Sequence, residues 1–288
     1  MRNRSYVYAG FAVLLWSTVA SAFKLSLRYL NFVQLLFYAS LASTLVLLAV
    51  VSLSGNWRAF KNHLSKNWKK SLALGLLNPL LYYTVLFKAY SLLPGQEAQA
   101  LNYTWAIALS LLSVPLLKHK LTAKSLLAIL VSFSGALIVA TRGNLAELRF
   151  ADPLGDTLAL FSAVIWAIYW IFNTKEKQDD AVKLASNFLL GFPLVAAFAL
   201  ASSELTVPVE GLFGAAYVGV FEMGVTFVLW SKALSSSESA AKVCNLIYLS
   251  PFLSLVFLHA VVGEAILPST VIGLVLIVAG IAAQSRVI

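Results

Sequence analysis

Ten side chains that could bind a small molecule lie within long apolar runs of the sequence. They are aromatic, amide and acidic residues, namely Trp16, Asn78, Tyr82, Tyr83, Asn102, Trp105, Trp166, Glu222, Asn245 and Tyr248. Indole N–H and phenol O–H groups in an apolar medium need hydrogen-bond partners, and a polar cavity supplies them. The set therefore predicts a substrate-binding cavity lined by flat rings. Ordinary core packing of the same rings is the alternative.

The amide and acidic members of this set suggest what the cavity binds. Asn78 precedes Pro79, which frees a backbone carbonyl group and is tolerated beside protein or a water-filled cavity. Amides both donate and accept hydrogen bonds, which suits a zwitterion, although bonding between helices is an equal alternative. An ionised Glu222 in mid-membrane costs several kcal/mol unless it is paired, neutral or hydrated. It could carry a proton, pair with a substrate ammonium group, or form a structural ion pair with Lys242.

The sequence lacks the usual signatures of enzymes. We find no P-loop, no G-x-G-x-x-G after a strand, no H-E-x-x-H and no G-x-S-x-G. The single cysteine excludes an intrachain disulfide, and the three histidines lack metal-ligand spacing. Asp152, Asp156, Asp179 and Asp180 lie in or beside loops, which argues against an intramembrane aspartyl protease. We therefore predict neither catalysis, nor a cofactor, nor a metal site.

Composition decides which solvent surrounds these residues. Of 288 residues, 60% are hydrophobic and only 11% charged, with a mean hydropathy of +0.85. A soluble domain typically carries about 25% charged residues, so lipid must surround most of this chain. The net charge of +9 fits basic residues in cytoplasmic loops better than nucleic-acid binding.

Apolar runs bounded by charged, proline or polar residues predict an all-α integral membrane protein with ten transmembrane helices. Each run is close to the roughly 20 residues that cross a bilayer as a helix. The predicted spans are 7–27, 33–53, 71–91, 95–116, 121–141, 155–174, 183–202, 211–232, 237–259 and 267–285.

The distribution of basic residues predicts the orientation of the chain. With the N-terminus in the cytoplasm, fifteen of the 21 Lys and Arg residues face the cytoplasm and five face outside, so both termini are expected inside. The loop 54–70, with two tryptophans and five basic residues, is expected either on the anionic leaflet or in solvent. Ala20-Ser21-Ala22 resembles a signal-peptidase site, but we expect no cleavage, because removal of this segment would destroy the repeat described next.

The sequence contains a weak internal repeat. Lys88-Ala89 matches Lys232-Ala233, and Asn102 with Trp105 matches Asn245 with Tyr248, at offsets close to 144. Trp16 and Trp166 occupy the first helix of each half. Two five-helix halves, 1–145 and 146–288, would enter the membrane in opposite orientations, because five is odd. Such an inverted repeat is typical of transporters with a midplane site, although chance similarity between apolar helices is the alternative.

These features resemble the EamA family of the drug/metabolite transporter superfamily. The resemblance covers essentially the whole chain and includes the small-residue helix from Gly273 to Gly280. The runs 86–94 and 101–105 are similar to those of aromatic amino-acid exporters in that family, although Ala106 stands where a proline is expected. The resemblance implies a multi-pass protein of the bacterial inner membrane that exports aromatic and other neutral amino acids by alternating access.

The sequence leaves several alternatives open. Another small metabolite or a drug-like cation could be the substrate, and a non-transporting membrane scaffold is a further alternative. The expected partners are amino acids and the lipid bilayer, without nucleic acid. Transport direction, energy coupling and oligomeric state are not determined, and a monomer is compatible with the sequence.

Overall fold

The computed structural model describes residues 2–117, 122–144, 150, 152–237, 243 and 245–284, and all regular structure in these residues is helical. The helices are α1 (Arg2–Ser26), α2 (Phe32–Leu53), α3 (Trp57–Gly75), α4 (Tyr82–Leu92), α5 (Gly95–Asn102), α6 (Trp105–Leu117), α7 (Ala123–Ala140), α8 (Pro153–Thr174), α9 (Asp180–Ser202), α10 (Val209–Tyr217), α11 (Thr226–Ser235), α12 (Ser250–Phe257) and α13 (Pro268–Gln284).

Seven helical stretches of the described residues are long and apolar enough to cross a membrane. Two of these stretches each consist of two α-helices joined by an irregular segment, where the sequence predicts one continuous span. The seven stretches are Arg4–Ser26, Phe32–Leu53, Trp57–Leu92, Ala123–Ala140, Pro153–Thr174, Asp180–Ser202 and Val209–Leu234. The predicted spans 95–116, 237–259 and 267–285 contain shorter or interrupted helices, and the start of span 237–259 lies largely outside the described residues.

Short polar residues begin several of these helices. Asn31 caps α2 by accepting hydrogen bonds from the backbone N–H groups of Val33 and Gln34, and the Gln34 side chain bonds back to Asn31. This capping box satisfies N–H groups that have no partner within the helix. Asp152 and Asp179 cap α8 and α9 in the same way. The cap residues therefore fix the residue at which each of these helices begins.

Four irregular helical segments interrupt the bundle. Wide π-helical turns occur at Leu76–Leu81, Val218–Val225 and Leu258–Val262, and a 3₁₀ segment occupies Asn245–Leu249. The first contains Asn78 and Pro79, as expected from the missing proline N–H. A further break separates α5 from α6 at residues 103 and 104, although Ala106 replaces the expected proline. The hydroxyl of Thr104 bonds to the carbonyl oxygen of Leu101 at 2.7 Å and stabilises this turn.

The closest helix packing joins α7 to α13. A Cβ atom added to Gly135 would lie 2.9 Å from the Cβ atom of Leu276, so only glycine permits this approach. The Ser132 hydroxyl donates a hydrogen bond to the carbonyl oxygen of Ile277 at 3.1 Å across the same interface. Gly280 also lies in this contact, as its small size suggests, whereas Ala279 is exposed on the other face of α13.

The segment 54–70 is mostly helical and is not the loop that its charge suggests. Residues from Trp57 onward form the first part of α3, with a kink at Asn67. Trp57 and Trp68 are exposed, and the ammonium groups of Lys61 and Lys69 lie 5.7 and 5.6 Å from the centres of their rings. Exposed indole and ammonium groups on one short helix suit a lipid headgroup region.

Candidate functional site

A cavity of about 290 Å³ lies at the centre of the bundle. Side chains from most of the helices and from two irregular segments line it, and the lining is mainly aromatic: Trp16, Val19, Ala20, Phe23, Tyr82, Leu86, Tyr90, Gln99, Asn102, Tyr103, Trp105, Ala106, Trp166, Trp170, Glu222, Phe227, Trp230, Ile247, Tyr248 and Ile281. Small-molecule pockets in proteins usually measure roughly 300–1,000 Å³ and combine apolar walls with a few polar groups. This cavity is at the small end of that range.

Ring-to-ring contacts fix much of the aromatic wall. Tyr82 of α4 stacks on Trp166 of α8 with ring centres 4.5 Å apart. Phe227 of α11 lies 5.8 Å from Trp166 and 5.6 Å from Trp16. Trp230 continues the wall at 5.5 Å from Trp16. Because each such pair contributes about 0.5–1.5 kcal/mol beyond burial, the rings hold one another in place and present rigid faces to the cavity.

Asn102 provides the best-defined polar position of the cavity. Its side-chain nitrogen donates to the Ser162 hydroxyl at 2.8 Å, and its oxygen accepts a longer bond from the Tyr82 hydroxyl at 3.4 Å. Gln99 lies one turn earlier on α5 and has a buried side-chain oxygen with no hydrogen-bond partner. The two amides therefore place one fixed and one unsatisfied polar group on the same wall.

Glu222 adds an acidic group to the lining. It lies in the π-helical segment between α10 and α11 and accepts a hydrogen bond from the buried Tyr83 hydroxyl at 3.2 Å. Tyr82, Tyr90 and Tyr103 also lie within electrostatic reach of its carboxylate. No described Lys, Arg or His forms an ion pair with Glu222, and Lys242 is outside the described residues. The carboxylate is therefore available to a cationic group in the cavity.

Hydrogen bonds that we call the Glu264 clasp, formed by Lys24, Gly95, Gln96 and Glu264, lie next to the cavity lining. Lys24 follows the lining residue Phe23 and bonds to the backbone of the lining residue Tyr90. The Glu264 carboxylate accepts from the backbone N–H groups of Gly95 at 2.7 Å and Gln96 at 3.2 Å. The Gln96 side chain bonds to the backbone on either side of Ile266, at 2.6 and 3.1 Å. Lys24 donates to two backbone carbonyl groups at the end of α4, at 3.0 and 2.8 Å. The clasp joins α1, α4 and α5 to the loop before α13.

Comparison with known proteins assigns this architecture. The model of the EamA-like transporter family matches the chain twice, over residues 3–141 and 153–285. The chain belongs to the EamA-like transporter family. This EamA-like transporter is therefore a multi-pass membrane protein of the drug/metabolite transporter superfamily, with a small-molecule substrate, and it is a transporter rather than an enzyme.

Individual relatives agree with this assignment. An uncharacterized transporter of Archaeoglobus fulgidus is 25% identical over 98% of this chain and 97% of its own length. The uncharacterized transporter YvbV of Bacillus subtilis is 24% identical over 97% of this chain and 91% of its own length. A solved crystal structure shares the fold with a TM-score of 0.69 and 21% identity, over 100% of this chain and 98% of that one.

Most residues singled out in the sequence line the cavity of this EamA-like transporter. They are Trp16, Tyr82, Asn102, Trp105, Trp166, Glu222 and Tyr248. Tyr83 lies behind the wall and reaches the cavity only through its bond to Glu222. Tyr83 points about 100° away from Tyr82 around α4, is fully buried and packs against Phe87. The side chain of Asn245 is outside the described residues.

Asn78 is placed away from the cavity. It is fully buried with no hydrogen-bond partner for either side-chain atom, and its amide lies near the Tyr169 hydroxyl. The neighbouring backbone packs tightly on α9, where a Cβ atom at Gly191 would lie 3.0 Å from Pro79. The proline break therefore serves this close helix contact and does not line the cavity.

Sequence reasoning missed several lining residues, although some left a signal. Gln99 lies three residues before Asn102, which places both on one face of α5. Trp170 lies one turn after Trp166 in the same way. Phe227 and Trp230 gave no such signal, because their direction depends on the π-helical segment that precedes them. Among the described residues, no group of His, Cys, Asp or Glu could hold a metal ion.

Proposed function

We propose that this transporter exports aromatic and other neutral amino acids across the bacterial inner membrane by alternating access. The observation that carries the proposal is the central cavity, whose aromatic walls surround a small number of polar groups. A planar apolar side chain would pack against the wall formed by the rings of Trp16, Trp166 and Phe227. Ring faces favour such a side chain over a polar one of similar size, which defines the substrate class.

The polar groups of the cavity match the two charges of a free amino acid. Glu222 is the acidic group available to an α-ammonium group. The Asn102 and Gln99 amides can donate hydrogen bonds to an α-carboxylate. The side chain of the substrate would pack against the aromatic rings of the cavity. One cavity would therefore bind a neutral zwitterion without needing a fixed cation.

We further propose that the chain consists of two inverted five-helix repeats, 1–145 and 146–288, with ten spans in total. The double match of the family model supports two repeats. The helix contacts also fit a two-fold axis that relates the halves. The contact of α1 with α11 has its counterpart in the contact of α8 with α4. The contacts of α2 with α9 and of α7 with α13 each join two equivalent helices, so they would lie on the axis. Substrate sites in such transporters lie where the repeats meet.

The basic residues support an orientation with both termini in the cytoplasm. The amphipathic start of α3, with its exposed tryptophans and lysines, then lies at the cytoplasmic surface. The Glu264 clasp lies at the opposite, outer end of the cavity. In this orientation the clasp closes the cavity to the outside, and its release is one half of the alternating-access cycle.

Transport by purified protein in liposomes tests the proposal. Labelled phenylalanine, tryptophan and threonine should cross the membrane of vesicles that contain the protein, and a panel of amino acids should compete. Repeating the assay with and without a pH gradient separates facilitated movement from proton-linked movement. Folded protein that moves none of these amino acids would refute the proposal.

Matched tryptophan variants test whether the cavity carries the flux. Trp166→Ala removes the ring that stacks on Tyr82, and Trp105→Ala removes another cavity ring. Both should reduce flux at least tenfold at normal expression. Trp68→Ala removes an exposed indole far from the cavity and should leave flux unchanged. Equal flux in all three variants would instead indicate a membrane protein that does not transport through this cavity.

An organic cation is the second candidate substrate, and one observation favours it. Glu222 is an acidic group in an aromatic cavity and has no cationic partner among the described residues. Ring faces and a carboxylate together attract an ammonium group. Glu222→Gln should abolish transport of a cation but leave partial transport of a neutral amino acid, so competition in the same liposomes distinguishes the two classes.

A further inference from the structure

A second buried acidic cluster lies outside the cavity, at the first turn of α5 and the start of α8. Glu97 is 1% exposed and Asp156 is 4% exposed. Their carboxyl groups lie against each other, and each influences the charge of the other. Neither the substrate cavity nor the Glu264 clasp uses these two groups, so their burial requires a separate explanation.

The charges of the cluster do not balance when both carboxyl groups are ionised. Arg142 forms an ion pair with Glu97 through two nitrogen atoms, each 3.0 Å from the same carboxylate oxygen. Within the described part of the chain, the other charged group that faces the pair is Asp152, which adds negative charge. Lys24 and Glu264 belong to the clasp, where they attract each other. One arginine therefore faces two buried carboxylates.

The hydrogen bonds of the cluster are also incomplete. The second oxygen of Glu97 and both carboxyl oxygens of Asp156 are buried and lack a donor. Two carboxylates cannot bond to each other, because both only accept, whereas a carboxylic acid donates to a carboxylate. Buried polar groups without partners are costly, and like charges in close contact repel. A single proton between the two groups would provide the missing donor and remove the surplus negative charge.

We propose that Glu97 and Asp156 form a proton-binding site in which the two carboxyl groups share one proton. The ligand is a hydrogen ion, taken up from water at this end of the cavity and released to it. Glu97 is the third residue of α5 and directly follows Gly95 and Gln96, whose backbone N–H groups donate hydrogen bonds to Glu264. Proton release would leave two repelling carboxylates beside the clasp and would weaken closure there. This last consequence rests on the proposed alternating-access function, whereas the proton site does not.

Infrared spectroscopy of the purified protein at neutral pH tests the site without any substrate. A protonated carboxyl group absorbs separately from a carboxylate, and the signal can be scaled to one group per molecule. Asp156→Asn should remove one carboxylic acid per molecule, because the remaining Glu97 then pairs with Arg142 as a carboxylate. Glu97→Gln should remove the same signal and serves as the second variant if the first folds poorly.

Asp152→Asn is the matched control. Asp152 caps α8 by accepting from the Gly155 N–H at 2.8 Å, and asparagine caps helices equally well. This variant should retain the carboxylic-acid signal. The proposal is overturned if Asp156→Asn and Glu97→Gln lose only carboxylate absorption, since both groups would then be ionised in the native protein. Failure of amino-acid transport would refute the proposed function but leave this result intact.

Discussion

Replacing Glu264 with alanine should shift the protein toward a state that is open at the outer end of the cavity. The change removes a carboxylate that accepts two backbone hydrogen bonds, at 2.7 and 3.2 Å, from the first turn of α5. It also removes the negative charge that faces Lys24. These interactions join the loop before α13 to α5, so they are lost when that end opens.

The size of the shift follows from the two hydrogen bonds. A hydrogen bond to a charged group contributes about 1.5–3 kcal/mol, and solvent screening at the partly exposed Glu264 reduces this to about 1–1.5 kcal/mol for each bond. Two bonds then contribute about 2–3 kcal/mol to closure. At 1.4 kcal/mol for each factor of ten, the open population should rise about 30- to 150-fold. Glu264→Gln keeps one oxygen acceptor and should give roughly half of that free energy, or about 5- to 12-fold.

Labelling of a single cysteine in the cavity measures this population. Ala106→Cys, in a background where Cys244 is replaced by serine, places a small thiol in the cavity wall. The rate of reaction with a membrane-impermeant maleimide added outside should rise by the factors above. Glu210→Ala is the matched control, because Glu210 is also an acidic residue beside a helix start but lies exposed on α10. Unchanged labelling in Glu264→Ala, or faster labelling only from the inside, would refute the closure role.

Two further predictions concern thermal stability, measured as the melting temperature of purified protein. Gly135→Ala forces a methyl group against the carbonyl oxygen of Gly273 and the Cβ atom of Leu276, and should cost about 1–3 kcal/mol, lowering the melting temperature by about 2–10 °C. Gly10→Ala meets no atom within 4 Å and should be neutral or stabilising. Lys24→Met removes two hydrogen bonds to backbone carbonyl groups at the end of α4 and should destabilise by about 2 kcal/mol. Lys88→Met loses only a ring contact at 5.1 Å, so an equal loss in both lysine variants would contradict the reasoning.

The sequence predicts helices well where apolar runs are long and bounded by clear caps. The predicted spans 33–53 and 155–174 begin within two residues of α2 and α8, whose caps are Asn31 and Asp152. Breaks without a proline are harder to predict. The helix breaks before Trp105, where Thr104 bonds to the carbonyl oxygen of Leu101, but the run contains no proline that would have indicated the break.

Candidate site residues were predicted from their depth in a span, and depth alone does not give direction. Trp16 and Trp166 face the cavity, whereas Asn78, also near the middle of a span, is buried beside Tyr169 of α8. The direction of a side chain depends on helix rotation, which is fixed by contacts between helices distant in the chain. Small residues such as Gly75 and Gly191 set those contacts, but the sequence does not show which glycines meet.

The irregular segments of the helices link the repeat, the cavity and the proposed motion. The π-helical segment Leu76–Leu81 corresponds in position to Val218–Val225, and the break after Asn102 corresponds to the 3₁₀ segment at Asn245. Three of these four segments border the cavity, through Asn102, Glu222 and Tyr248. Irregular backbone at membrane depth is tolerated only beside protein or a water-filled space. Backbone that lacks regular helical bonding bends more easily, so we expect the hinges of the proposed alternating-access motion at these four positions.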